Sequence, residues 1–177
     1  MATALSFRVA TPADAAVIAK FVKASYRGES SRAGWTTEAD LVADDRIDAD
    51  GVVGKIKTAG CSILLAHDAE GKLAACCEVA KRDDTLAYFG LFAVDPLRQA
   101  GGIGRQVLAE AERYCRDEFA VARLEMWVIW TRDELIAWYL RRGYIMSDQT
   151  VPFPYAHLIN GKALRDDLYF KVLFKDL

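Results

Sequence analysis

The stretch LFAVDPLRQAGGIGRQVL, from Leu91 to Leu108, decides the fold of this chain. Its first residues end a buried strand, and Asp95-Pro96 turns the chain out of the sheet because the residue before a proline avoids the helical region. The glycine-rich segment Gln99–Gly104 then leads directly into a helix with an amphipathic period. Glycines allow close approach of a ligand, and free N–H groups at a helix start favour an anion. With Arg98 and Arg105 beside this turn, we predict a pyrophosphate site.

The usual nucleotide motifs fit this turn poorly. A Walker A loop requires Gly-Lys followed by Ser or Thr, whereas this chain has Gly104-Arg105-Gln106. A dinucleotide fingerprint requires a third glycine, and Val107 stands at that position. These departures disfavour a nucleotide-binding protein of another fold. A glycine-rich helix start without any ligand remains the simpler alternative for the turn taken alone.

Hydrophobic periodicity on both sides of the turn predicts seven strands and four helices. The predicted strands are Ser6–Val9, Ser62–His67, Lys72–Lys81, Leu86–Val94, Arg123–Ile129, Tyr144–Thr150 and Leu168–Phe174. The predicted helices begin at Thr11, at Thr36 or Thr37, at Gly102 and at Asp133, and Asp44–Gly60 is left mostly irregular. The order β-α-α-β-β-β-α-β-α-β-β indicates an α+β protein with a mixed, mostly antiparallel seven-stranded sheet.

Length and composition narrow the class of protein. The chain has 177 residues, of which 53% are hydrophobic, so we expect one domain over residues 1–177 with a full core. The formal net charge of −2 argues against a nucleic-acid partner. The longest apolar runs have about nine residues, far short of the ~20 of a membrane span, and the N-terminus lacks a signal-peptide pattern. We therefore expect a soluble, cytoplasmic protein without a membrane partner.

The cysteines predict neither disulfides nor a metal centre. Cys61, Cys76, Cys77 and Cys115 form no C-x-x-C pair, and neighbours in a strand point to opposite faces. His67 and His157 are the chain's two histidines, which leaves few ligands for zinc. We expect reduced, mostly buried thiols and no metal site.

Two motifs in this order resemble those of the GNAT superfamily of N-acetyltransferases. The first is Gln99-x-x-Gly102-x-Gly104, which is similar to the Q/R-x-x-G-x-G/A coenzyme A motif of that family. The second is 137–144, AWYLRRGY, in which Tyr139-x-x-x-Gly143-Tyr144 is similar to the Y-x-x-x-G-F/Y part of its A-x-x-Y-x-x-x-G-F/Y segment. One departure is Arg132, where many members carry an asparagine at the head of the last helix. The resemblance implies a GNAT-like fold that uses acetyl-CoA.

The resemblance also implies a separate role for each group of residues in the site. The backbone of Phe92, Ala93 and Val94 is expected to hold the pantetheine arm of acetyl-CoA, and an N–H near Leu91–Ala93 to polarise the thioester. The pyrophosphate is expected against the turn, formed by Gln99, Ala100, Gly101, Gly102, Ile103, Gly104 and Arg105. Tyr139 occupies the position of the family's phenolic acid, although its helix position also suits a core aromatic.

The catalytic base is less clearly marked in the sequence. Some family members carry a glutamate where this chain has Tyr88, which cannot act as a carboxylate. Glu78, inside the apolar run CCEVA, is the preferred candidate, since a charge there must be paired, exposed or functional. Glu125 is a second candidate.

The acceptor is expected to be the amine of a small molecule or a peptide. In the GNAT fold that the resemblance implies, the loop after the first helix covers the acceptor end of the cofactor-binding slot. Tyr26, Glu29 and Trp35 are therefore expected to contact the substrate. Loop Pro152–Tyr155 and the acidic pair Asp166-Asp167 are expected to close the other side. A non-catalytic acyl-CoA-binding module of the same fold remains open as an alternative function. The sequence also leaves open whether the protein forms a homodimer.

Overall fold

The computed structural model describes residues 4–177, with the side chain of Ala100 outside the description. The main strands are β1 (Ser6–Val9), β2 (Cys61–His67), β3 (Leu73–Lys81), β4 (Leu86–Val94), β5 (Arg123–Ile129), β6 (Ile145–Pro152) and β7 (Tyr169–Asp176). The helices are α1 (Ala15–Tyr26), α2 (Gly28–Ser31), α3 (Ala49–Lys57), α4 (Ile103–Asp117) and α5 (Asp133–Leu140). None of the helices formed by these residues is long and apolar enough to cross a bilayer.

The seven strands form one sheet in the order β1-β2-β3-β4-β5-β7-β6. Every neighbouring pair is antiparallel except β4 and β5, which run parallel and are joined through α4. A parallel pair requires a crossover connection, and the amphipathic segment after the glycine turn supplies it. The predicted mixed, mostly antiparallel sheet of seven strands is therefore confirmed.

Helices cover both faces of the sheet. On one face, α4 and α5 pack on a core that includes Phe89 and Met126, and α4 contributes buried side chains at helical spacing. On the other face, α1 and α3 pack through Ile18, Val22 and Val52. The neighbouring Cys76 and Cys77 point to these opposite faces, and all four cysteines are free thiols.

The segment between α1 and β2 differs from its prediction. No helix begins at Thr36 or Thr37, because Thr37 instead binds Ser31 and Ala39 through its hydroxyl in an irregular loop. The second long helix is α3, in the region predicted as irregular. Its signals were an N-cap, where the Asp48 side chain accepts from the Gly51 N–H, and lysines in the last turn. Two glycines inside α3 weaken its helical pattern, and for this reason the sequence did not reveal it.

The sheet opens between β4 and β5. Their pairing runs only from Leu86 opposite Arg123 to Phe89 opposite Met126, so the second halves of the two strands separate. A bulge in β4 lies at the same level, where the register jumps from Gly90 to Ala93 against β3. Leu91 adopts a φ of 46° in this bulge, a conformation that costs an ordinary residue energy and is concentrated at functional sites.

Candidate active site

The glycine turn lies directly below this opening. Residues Pro96–Gly101 form a 3₁₀ turn, and Gly102, with a φ of 74°, caps the start of α4. A residue with a side chain is strained at that φ, which explains the glycine. The first N–H groups of α4 have no partner within the helix and lie at the end of the opening between β4 and β5. The turn therefore presents backbone donors and a helix dipole where an anion is favoured.

A cavity of about 290 Å³, here named the turn cavity, extends from the glycine turn into the opening. Most of the predicted cofactor residues line it, together with aromatic side chains of α1 and α5. The predicted residues in its wall are Tyr26, Trp35, Phe92, Ala93, Val94, Gln99, Gly102, Gly104, Arg105 and Tyr139. Ile103 is instead buried in the core, and Gly101 is exposed outside the cavity wall. Ala100 lies in the same turn, and its side chain is outside the described part of the structure.

A second cavity, here named the sheet cavity, has a volume of about 380 Å³ and lies on the other side of the opening. Five residues line both cavities and so form their junction: Tyr26, Phe92, Arg132, Leu135 and Tyr139. A ligand extending from the glycine turn through the opening would meet a second ligand at this junction.

Tyr139 is the titratable side chain of the junction that the sequence singled out. The residue is 3% exposed, and its ring packs edge-on against Trp138 and Tyr144. Its hydroxyl has no hydrogen-bond partner within residues 4–177. Burial raises the pKa of this phenol well above its ordinary value near 10, and the charge of Arg132 opposes the rise. Tyr139 therefore remains a protonated donor at neutral pH.

Two side chains already occupy carbonyl groups of the open strand β4. The Tyr26 hydroxyl donates a hydrogen bond to the Phe92 carbonyl oxygen. Gln99 Nε2 donates to the Val94 carbonyl oxygen at 3.4 Å, while Gln99 Oε1 accepts from the Trp35 N–H at 2.9 Å. Gln99 thus ties the loop that contains Trp35 to the strand below it.

Gln99→Ala is expected to loosen this loop without unfolding the protein. The change removes the acceptor of the Trp35 N–H, and one hydrogen bond contributes about 1 kcal/mol. Amide hydrogen exchange in a peptide covering 32–37 should accelerate about five- to tenfold. Gln149→Ala, at an exposed position of β6, is the matched control and should leave this peptide unchanged. Equal exchange in both variants would show that Gln99 does not hold the loop.

Glu78 lines the sheet cavity and is almost fully buried, with a relative exposure of 6%. Lys55 Nζ donates to both of its carboxylate oxygens at 2.9 Å. The Cys61 thiol also lies 3.5 Å from Glu78 Oε1, and burial together with this carboxylate raises the pKa of Cys61 to about 11. The Glu78 side chain thus lines the cavity, and its carboxylate is paired with Lys55.

A buried ion network at the junction was missed by the sequence analysis. Glu38 accepts from Arg27 and, at 2.6 Å, from Arg132, and Arg27 also binds Asp44 at 2.6 Å. Burial opposes ionisation of Glu38, but Arg132, Arg27 and Arg46 outweigh it and lower its pKa. The bonded partners in this network are up to 94 positions apart, so no local pattern could have joined them. The one available signal was Arg132, which departs from the family's asparagine.

Two predicted carboxylates lie outside both cavities. Glu29 belongs to the short helix α2, where its exposed side chain pairs with Arg32, and so it does not line either cavity. Glu125 accepts from Trp127 Nε1 at 2.7 Å and likewise contacts neither cavity. The Asp166-Asp167 pair is also absent from the wall of the sheet cavity, where Phe153 and Pro154 of the preceding loop are present.

The residues around the glycine turn fit an anionic cofactor. Arg142 lines the turn cavity and lies over the Trp138 ring, with its guanidinium carbon 3.6 Å from the centroid. Its Nε is buried and has no hydrogen-bond partner among the described residues. Burial, Arg141 and Arg105 all lower the pKa of Arg142, and none of these three arginines contacts a carboxylate within residues 4–177. Arg105 and Arg142 both line the turn cavity, and two unneutralised cations beside a helix start favour a ligand with phosphate charges.

The split sheet with a glycine turn beneath the split is the architecture of an acyltransferase that binds coenzyme A. The chain belongs to the acetyltransferase (GNAT) family, whose family model matches residues 29–144. Members of this family use acetyl-CoA as the acetyl donor. No curated protein sequence gives a significant match to this chain.

Three solved structures, two of them of proteins named as N-acetyltransferases, have the same fold. Ard1 from Thermoplasma volcanium aligns with a TM-score of 0.72 at 16% identity, covering 98% of each chain. A spermidine N-acetyltransferase from Vibrio cholerae, solved with CoA and spermine, aligns with a TM-score of 0.68 at 16% identity, covering 97% of this chain and 95% of its own. A protein provisionally named a phosphinothricin N-acetyltransferase aligns with a TM-score of 0.71 at 16% identity, covering 98% and 99%.

Proposed function

We propose that this protein transfers the acetyl group of acetyl-CoA to a primary amine of a small molecule or peptide, by direct attack within one catalytic domain. The observation that carries the proposal is the junction, where the turn cavity and the sheet cavity meet beside the Tyr139 hydroxyl. The turn cavity, which lies at the start of α4 and is lined by Arg105 and Arg142, suits the cofactor. The sheet cavity is therefore proposed to hold the acceptor. Acetyl-CoA supplies a thioester whose acyl carbon is open to attack by an amine.

The proposed cofactor site combines backbone and arginine donors. The turn Gln99–Arg105 and Arg142 are proposed to hold the phosphates, by free N–H groups and charge-assisted hydrogen bonds. The backbone of Phe92, Ala93 and Val94 is proposed to bind the amides of the pantetheine arm. Trp35 and Tyr26 close the turn cavity above that arm.

Tyr139 is proposed to donate its proton to the departing sulfur. A thiolate of pKa about 8.5–10, taking cysteine as a guide, leaves more readily when a donor is close. The transfer leaves a buried phenolate, which Arg132 stabilises because it lines the same junction. An N–H of the bulged segment Leu91–Ala93 is proposed to bind the oxygen of the thioester carbonyl as negative charge develops there.

Glu78 is proposed to receive the proton of the acceptor amine through a water molecule. An alkylammonium has a pKa near 10.4 and must lose a proton before it attacks. Three carboxylates line the sheet cavity, and two of them, Glu38 and Asp44, are bound by buried arginines. Glu78 is bound by a single lysine, Lys55, whose own contact with substrate would release it.

The experiment that tests this function measures thiol release from acetyl-CoA against a panel of amines, amino acids, antibiotics and peptides. We expect acetyl-CoA to raise the melting temperature, and thiol release to depend on an acceptor. Binding without acceptor-dependent release across the panel would instead support the non-catalytic acyl-CoA-binding module. Failure of acetyl-CoA and CoA to stabilise the protein would contradict the proposed site itself.

A further inference from the structure

The sheet cavity carries more positive than negative charge. Five cationic side chains line it, namely Arg27, Arg46, Lys55, Arg82 and Arg132, against the carboxylates of Glu38, Asp44 and Glu78. His157 is also part of its wall. The acidic residues that the sequence predicted around the acceptor, Glu29, Asp166 and Asp167, do not line this cavity.

All three carboxylates are already bound by cations of the same wall. Asp44 and Glu38 pair with Arg27, and Glu38 pairs in addition with Arg132. Glu78 pairs with Lys55 at 2.9 Å. Arg46 and Arg82 therefore remain, and neither has an ion pair with any carboxylate between residues 4 and 177. The charge of Arg46 also acts on Glu38, but the guanidinium groups of Arg46 and Arg82 have no carboxylate in contact and can bind an anion.

Both arginines lie over aromatic rings that line the cavity, Arg46 half-buried and Arg82 exposed. The Arg46 guanidinium carbon lies 5.6 Å from the Tyr26 ring centroid, and that of Arg82 lies 4.7 Å from the Tyr88 centroid. The Tyr88 ring lies so close over Gly90 that a Cβ there would be 2.5 Å from its Cε1. Arg46 has a φ of 63°, a left-handed conformation that a residue with a side chain keeps only when its surroundings require it.

The charges of Arg46 and Arg82 also act on the same side chain, Tyr88. Burial raises the pKa of the Tyr88 hydroxyl; the charges of Arg46 and Arg82 oppose that rise, while the carboxylates of Glu78 and Glu125 add to it. The Tyr88 hydroxyl has no hydrogen-bond partner in the described chain and is a further donor beside them. One side of the cavity thus offers two guanidinium groups and a phenol toward the same region.

We infer that the acceptor of this enzyme carries an anionic group, a carboxylate or a phosphonate, which binds against Arg46 and Arg82 while its amine reaches the junction. This inference rests on the proposed function and narrows its substrate class to amino-acid-like zwitterions. A polycation such as spermine, present in the Vibrio cholerae structure, would bring further positive charge into a cavity that already has an excess. An anion instead gains charge-assisted, bidentate contacts from arginine.

The test compares acceptors that differ in the anion alone. Phenylalanine is paired with phenethylamine, lysine with cadaverine, and 2-aminoethylphosphonate with ethylamine, with spermidine as the polycation. We expect kcat/KM to be at least tenfold higher for the anionic member of a pair that reacts, and the two kinds of anion are ranked by the same data. Arg46→Met and Arg82→Met should each remove most of this preference. Arg116→Met, on the exposed face of α4, is the matched control and should preserve it.

A binding measurement separates this inference from the proposed function. With CoA at saturation, inorganic phosphate should raise the melting temperature of the wild type and fail to do so in the Arg46→Met/Arg82→Met double variant. This outcome supports the anion site even if every amine in the panel proves inert, a result that would count against the proposed acetyl transfer. Equal or better acetylation of the amines without an anion, or phosphate stabilisation that survives both substitutions, would overturn the inference.

Discussion

Tyr139→Phe is expected to lower kcat by about 10²–10⁴-fold, the usual contribution of a positioned general acid. The substitution removes the hydroxyl that is proposed to protonate the leaving sulfur and keeps the ring that packs on Trp138 and Tyr144. The affinity for acetyl-CoA should therefore change by less than about twofold, because uniform binding is untouched. Steady-state kinetics with a saturating acceptor, together with calorimetric titration of CoA, measure both quantities.

The pH profile gives a second readout of the same role. Burial holds the pKa of Tyr139 well above 10, so the phenol keeps its proton throughout the neutral and mildly alkaline range. Wild-type kcat/KM should rise with pH as the acceptor amine loses its proton, with no fall below pH 10 from loss of the acid. Tyr144→Phe is the matched control, since the Tyr144 hydroxyl binds Glu112 and lies outside both cavities. Wild-type turnover by Tyr139→Phe across this range would exclude the acid role.

Glu38→Ala is expected to destabilise the fold by about 3–5 kcal/mol. The variant leaves Arg132 in the interior without its carboxylate and Arg27 with Asp44 alone, and an uncompensated buried charge is far more costly than the intact network. For a chain of this size the loss corresponds to a fall in melting temperature of about 6–20 °C. Asp40→Ala is the matched control, because its pair with Arg32 is exposed to solvent and should leave the melting temperature unchanged.

Acid should reduce the difference between the wild type and Glu38→Ala. The folded state lowers the pKa of Glu38 below its ordinary value of 4.5, so its ionised form stabilises the fold above that pH. The contribution is lost as the pH falls through the lower, folded-state pKa. Melting curves from pH 7 to pH 3 should therefore converge for the two proteins, whereas a constant difference would place the stabilising effect elsewhere.

The parts of the fold with strong local signals were predictable from the sequence. The antiparallel strands β2, β3 and β4, the glycine turn and the amphipathic α4 each depend on periodicity and on residues that set a turn. The helix α3 was missed because Gly51 and Gly54 obscure its pattern, and its position is fixed by packing of Val52 against α1. In the same region, the polar residues after Trp35 imitate a helix start but are used for loop contacts.

The candidate site likewise contains residues that the sequence could locate and residues that it could not. The turn and Tyr139 could be located because motif spacing marks them, and the structure places them on one cavity wall. The charges of the acceptor side could not, since Arg27, Glu38 and Arg132 are brought together by tertiary contacts alone. Glu29 was chosen because it lies in the right loop, but the short helix α2 directs it toward Arg32 and solvent.

The separation of β4 from β5 creates two strand edges in the interior of a sheet rather than at its rim. Such edges carry unpaired peptide groups that attract any extended chain, and edges of this kind invite aggregation. Here Tyr26 and Gln99 occupy the exposed carbonyls of Phe92 and Val94 with side-chain donors. These side-chain donors protect the gap from pairing with another extended chain. In the proposed cofactor site the same protection would lower net affinity, since an amide of the pantetheine arm must displace a satisfied hydrogen bond before it forms its own.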